Sequence, residues 1–165
     1  MTDVTPTDVA TQIARIEAEE RELVLVRFDN TDAWRLGSIL VSLAKERSLA
    51  ITIDIVRGEQ QLFHAAMPGT AAHNDVWISR KVATVREFNA SSLKVGIRFP
   101  VVDAHELELA PWMDPRAYSG SGGGFPITIR DVGVVGVVSV SGLPHEADHA
   151  LLVEGLRAFI AEASA

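Results

Sequence analysis

The sequence predicts one α/β (α+β) domain over residues 1–165, an antiparallel sheet of about five strands flanked by helices. Three observations predict it. Segments 51–66 and 124–141 each read as two strand-length apolar runs joined by a tight turn, and a hairpin makes its strands antiparallel. Leu23-Val24-Leu25-Val26-Arg27-Phe28 is a nearly unbroken apolar run of strand length, as in a strand buried on both faces. Around these lie stretches whose apolar residues recur at helical spacing.

In chain order, Thr7 or Asp8 caps a first helix with Val9, Ile13 and Ile16 on one face. The Leu23–Phe28 strand follows. Asp29-Asn30-Thr31-Asp32 supplies caps for a second helix beginning near Ala33, whose Trp34, Ile39, Leu40, Leu43 and Ala44 keep helical spacing. Gly37 inside that helix costs about 1 kcal/mol relative to alanine, which points to a close packing contact. Ile51, Ile53 and Ile55 alternate with Thr52, Asp54 and Val56, and Arg57-Gly58-Glu59 turns this strand into a second one, Gln60 to Ala66.

Pro68-Gly69-Thr70 ends that hairpin, and Asn74 or Asp75 caps a long helix through Trp77, Ile78, Val82, Val85 and Phe88 that runs on past Ser91-Ser92. Phe99 to Met113 carries no clear period, and Asp114-Pro115 opens a short turn. Gly124 to Arg130 and Val132 to Ser141 form the second hairpin across Asp131, the valines marking its second strand as central. Pro144 opens a C-terminal helix with Leu151, Leu152, Gly155, Leu156 and Phe159 along one side.

Composition narrows the function classes. Hydrophobic residues make up 47% of the chain, yet no run approaches the length of a membrane span, so no membrane partner is expected. That apolar surplus points to a subunit interface and a homo-oligomer. Lys+Arg 15 against Asp+Glu 22 gives a net charge of −7, which repels phosphate backbones, and nucleic acid is not an expected partner. With no cysteine, disulfides, thiolate catalysis and thiolate metal sites are excluded. The N-terminus lacks a basic start followed by an apolar stretch, so the chain reads as cytoplasmic.

The glycine-rich block Gly122-Gly123-Gly124-Phe125-Pro126-Ile127 delivers bare backbone into a strand, a corner that a ligand or a neighbouring subunit can approach. It leads into a strand and lacks Lys-Ser/Thr, so it is neither a P-loop nor a dinucleotide fingerprint. This block resembles the UPF0303 group within the haem-degrading/GlcG-like (DUF336-type) superfamily. So do Asp29-Asn30-Thr31-Asp32-Ala33-Trp34, Gln60 to Ala65, Pro68-Gly69-Thr70, Asn74 to Lys81, and Ser141-Gly142-Leu143-Pro144 with Asp148-His149. The resemblance spans nearly the whole chain. It implies a profilin-like antiparallel sheet, assembly into oligomers, and association with haem or corrinoid-related small molecules.

His145-Glu146-Ala147-Asp148-His149 spells the His-Glu-x-x-His pattern of zinc peptidases, but the residues beyond His149 offer no good third ligand, and no metal site is assigned. His64 in its strand is read as structural. Asp148 and His149, as helix neighbours, point about 100° apart and do not pair easily. No nucleophile elbow accompanies a serine, no catalytic residue is assigned, and enzyme activity is left open. The function expected is a small-molecule-binding domain for haem or another planar or carboxylated ligand. Its site is drawn from Thr70, His73, Asp75, Arg80, Lys81, Gly123, Gly124, Phe125, Pro126 and His149, with Arg80 or Lys81 pairing carboxylates and His73 or His149 as the polar handle. The alternative is a non-enzymatic oligomeric assembly protein.

Overall fold

The computed structural model describes residues 6–99 and 113–163; these form five helices and four strands in an α+β arrangement. In chain order they are α1 (Pro6–Glu22), α2 (Asn30–Glu46), β1 (Thr52–Arg57), β2 (Gln60–Ala66), α3 (Ala72–Phe88), α4 (Ser92–Arg98), β3 (Gly124–Ile129), β4 (Gly133–Ser141) and α5 (His145–Ala163). The sheet runs β2-β1-β4-β3 with every neighbour antiparallel. Both expected hairpins form, and β4 is central. Gly58 and Asp131 take positive φ at their turns.

The sheet separates two packed layers. Alternation in β1 sends Ile53 and Ile55 to the α2/α5 side, into a core with Leu36, Leu40, Phe125, Val138, Leu152 and Phe159. On the other side Val137 meets Ile78, Val82 and Val85 of α3. Burying a side chain of this size contributes roughly 1.5–3 kcal/mol, so the first core dominates the fold's stability. Gly37 in α2 lies flat on Phe63, where an added Cβ would come within 2.5 Å of the ring.

Four strands, rather than about five, are found among the described residues. Helix α1 continues to Glu22, and Asp29 already caps α2, accepting from the Asp32 N–H at 2.9 Å. The six residues between them cross from one helix to the other and touch the sheet at a single point. Leu25 makes one parallel bridge, its N–H to Thr128 O at 2.8 Å and its carbonyl accepting from Arg130 at 2.8 Å. The run is not buried on both faces either: Val26 is 76% exposed.

Several helix boundaries also differ from expectation: α1 begins at Pro6, so Thr7 and Asp8 lie inside it rather than capping it, and α2 begins at Asn30, directly after its Asp29 cap, rather than near Ala33. Helix α3 starts at Ala72, so Asn74 sits inside its first turn, taking the Ala71 N–H at 2.9 Å and donating to Ser141 O at 3.2 Å. At its other end Asn89 turns left-handed (φ 49°), and Ser91 caps the separate helix α4 instead of extending α3. Most of the unassigned stretch Phe99–Met113 lies outside the described residues.

Candidate functional site

Helix α3 organises the polar groups. Its inward row holds Ile78, Lys81, Val82 and Val85; its outward row holds His73, Val76, Trp77 and Arg80. On the outward row Trp77 Nε1–H donates to His73 Nε2 at 2.9 Å, the two rings meeting edge to face at 6.0 Å. The Arg80 guanidinium stacks over the Trp77 ring, 5.0 Å from its centroid, and its Nε donates to the Arg116 carbonyl at 3.0 Å. Among the described residues no carboxylate stands within ion-pair distance of Arg80, though its charge, after the Arg116 contacts, helps hold the nearby Asp114 carboxyl below the usual carboxylate range. A stacked, half-buried guanidinium beside an exposed apolar Val76 can receive a flat molecule carrying a carboxylate.

The ten residues expected to form one site do not come together in one place. Lys81, Gly123 and Gly124 meet in the interior. Lys81 Nζ donates to Asp148 Oδ2 at 3.0 Å and to Val140 O at 2.9 Å. Burial pushes the Lys81 ammonium down and the Asp148 carboxyl up, each towards its neutral form, against the attraction between them. Phe125 and His149 pack together at 5.7 Å, while Pro126 is buried in edge strand β3. His149 Nε2 lies 2.9 Å from Glu19 Oε2 and its Nδ1 is buried with no partner, so burial holds its pKa below the usual histidine value.

Thr70 spends its hydroxyl on Met67 O at 2.7 Å, closing its own loop. His73 and Arg80 stand together on the outward row, whereas Asp75 turns towards β2 and lies 3.3 Å from His64 Nε2. The glycine corner is occupied by the protein's own atoms. A Cβ on Gly122 would meet His145 O at 2.1 Å, and one on Gly123 would meet Val140 O at 2.5 Å and Lys81 Nζ at 2.7 Å.

Two polar groups that sequence reasoning did not join stand out. Trp77 shares its helix with the apolar residues Ile78, Val82 and Val85, but its indole lies across the outward row. Asp54, buried in β1, faces His64 across the β1–β2 pair, with Oδ1 3.1 Å from His64 Nδ1. The hairpin turn at Gly58 signals this pairing to within one residue. On the far side of the molecule an open groove of about 500 Å³ runs along α2, lined by Trp34, Arg35, Ile39, Leu43 and Glu162.

A family model described as haem degrading protein HbpS-like matches residues 28–157. A UPF0303 protein of Streptomyces coelicolor is 51% identical over 153 residues, covering 93% of this chain and 96% of that relative. The crystal structure of Ybr137w protein superposes with a TM-score of 0.81 at 29% identity, covering 92% of this chain and 89% of that one. That of a PduOC:Heme complex superposes with a TM-score of 0.59 at 17% identity over 82% of this chain and 95% of that one, a likeness of fold.

Proposed function

We propose a small-molecule-binding role on the following premise: the chain belongs to the HbpS-like family described as haem degrading, within its UPF0303 branch. The ligand is planar and carboxylated, and it lies on the outward row of α3. Arg80 carries the reading, because its guanidinium is stacked on Trp77 at 5.0 Å and, although the charge of Asp114 is near enough to feel it, makes no ion pair within 4 Å among the described residues. Trp77 and Val76 offer the flat apolar contact, and Arg80 the charge.

Haem fits this face in part. Its ring and propionates match Trp77, Val76 and Arg80, and a structural neighbour is described as a haem complex. Iron ligation is not prepared: His73 Nε2 already accepts from the Trp77 indole, and His149 Nε2 is engaged with Glu19 in the interior. Haem bound here is therefore held by its plane and its carboxylates, and no redox step is assigned to the chain's own residues.

Hemin titration followed by visible absorbance, with albumin as the non-specific control, tests this. Wild type is expected to saturate at about one hemin per chain, and Arg80→Ala and Trp77→Leu each to weaken binding about tenfold, equivalent to ~1.4 kcal/mol. A response no better than albumin, or one indifferent to both substitutions, sinks the reading.

A homo-oligomeric assembly protein is the second reading, favoured by the α2 groove and by Trp34, 63% exposed at its edge. Sedimentation velocity of wild type and Trp34→Glu tests it: a monomeric wild type, or a substitution without effect on the assembly, removes this support.

A further inference from the structure

We propose that His64 Nε2 and Asp75 Oδ1 form a surface site for a divalent transition-metal cation such as zinc or cobalt(II), with Asp54 holding the imidazole from behind. Strand pairing builds the arrangement. The β1–β2 register sets Asp54 opposite His64, and the Asp54 Oδ1 lies 3.1 Å from His64 Nδ1. Asp54 is fixed in turn: its side chain is 5% exposed and it accepts from Gln61 Nε2 at 2.5 Å. On the other side of Asp54 the cross-strand neighbour is Ser139, whose hydroxyl is buried without a partner.

A neutral imidazole carries a single N–H. We assign it to Nδ1, where the buried Asp54 carboxylate accepts it, which leaves the Nε2 lone pair facing Asp75 Oδ1 at 3.3 Å. Two acceptors at that separation repel unless a positive charge joins them. Two donors on a tetrahedral zinc ion, each about 2.0–2.1 Å from the metal, sit about 3.3 Å apart. The spacing is thus that of two ligands on one ion, and a carboxylate behind a ligating histidine is the usual support for such a ligand. An imidazole and a carboxylate also suit zinc and its neighbours better than calcium or magnesium.

Among the described residues no group of three or more such side chains is disposed to hold an ion, so water completes the coordination. Access is open, since the His64 and Asp75 side chains are 35% and 46% exposed. The site is separate from the outward row, because Asp75 lies about 200° around α3 from His73. A proton competes for the same Nε2, since imidazolium also satisfies both carboxylates.

The test is calorimetric zinc titration of the tag-free full chain at about pH 7.5, with nitrogen NMR of the histidine rings. Wild type is expected to bind one zinc per chain with a shift at His64 Nε2. His64→Gln and Asp75→Asn lose that binding, and Asp54→Asn weakens it 10- to 100-fold. His145→Gln, at the exposed start of α5, leaves it unchanged. Asp75 is exposed, so its substitution gives a folded variant even if His64→Gln does not. Equal zinc uptake by wild type and Asp75→Asn overturns the site, as does an Nε2 that keeps a proton under saturating zinc. Neither result bears on hemin binding at Arg80.

Discussion

Lys81 Nζ lies 3.0 Å from Asp148 Oδ2, both side chains almost fully enclosed, and the pair locks the middle of α3 to the first turn of α5. The contact occupies the space beside Gly123, whose backbone is at φ 113°, and Asp148 also accepts the Leu143 N–H at 3.1 Å. A buried ion pair of this kind holds three segments in one geometry. Its net contribution to stability is small, because desolvation of both charges opposes their attraction.

Removing one partner is therefore expected to cost far more than removing both. Lys81→Ala or Asp148→Ala alone should lower unfolding free energy by about 3–5 kcal/mol, since each strands a buried charge. The double change Lys81→Met with Asp148→Leu should recover most of that loss in denaturant unfolding. A double variant as unstable as the singles would assign the damage to packing and not to charge.

Gly37→Ala places a Cβ within 2.5 Å of the Phe63 ring. Overpacking of this sort costs about 1–3 kcal/mol. Phe63→Leu in the same chain should return part of it, and thermal unfolding of the three variants would show whether the two positions couple.

His149 sets a pH dependence. Burial holds its folded pKa below the ordinary value of 6.5, against the pull of Glu19. Below about pH 6.5 the unfolded chain takes up the proton more readily than the folded one, so stability falls as pH drops through that value and is complete above it. The urea midpoint of wild type should fall between pH 7.5 and 5.5, and fall less in His149→Gln, which keeps a donor for Glu19. Identical slopes would contradict the assignment.

Ligand binding at the outward row should depend on salt through Arg80. Raising ionic strength screens an exposed guanidinium–carboxylate contact. Hemin affinity is expected to fall with salt in wild type and to change little in Arg80→Ala; equal salt sensitivity would place the carboxylates elsewhere.

Much of the frame is legible in the residues alone. Arg57-Gly58-Glu59 and Asp131 announce two hairpins, Asp29 and Asp32 announce the start of α2, and Pro144 the start of α5. Local rules suffice there because turns and caps are satisfied within a few residues. The Leu23–Phe28 run misleads for the same reason: its composition suits a strand, but α1 and α2 claim the chain on either side. Glycines 122 to 124 are likewise informative about close approach, and silent about what approaches. Here it is the carbonyls of His145 and Val140, and Lys81.

The sequence by itself determined the class of fold, the two hairpins, the family and the residue types available for chemistry, all of which rest on local pattern. Only the tertiary structure decided which of those residues meet. Extending the Arg57–Gln60 pair straight back would set Asp54 opposite Phe63, but the irregularity between Ile55 and Val56 skips Leu62 and sets it opposite His64. Likewise Lys81 and Asp148 are 67 positions apart, yet their contact turns an expected ligand-binding lysine inward. A one-residue register shift changes the face of every side chain beyond it, and the burial of a charge depends on partners brought in by packing.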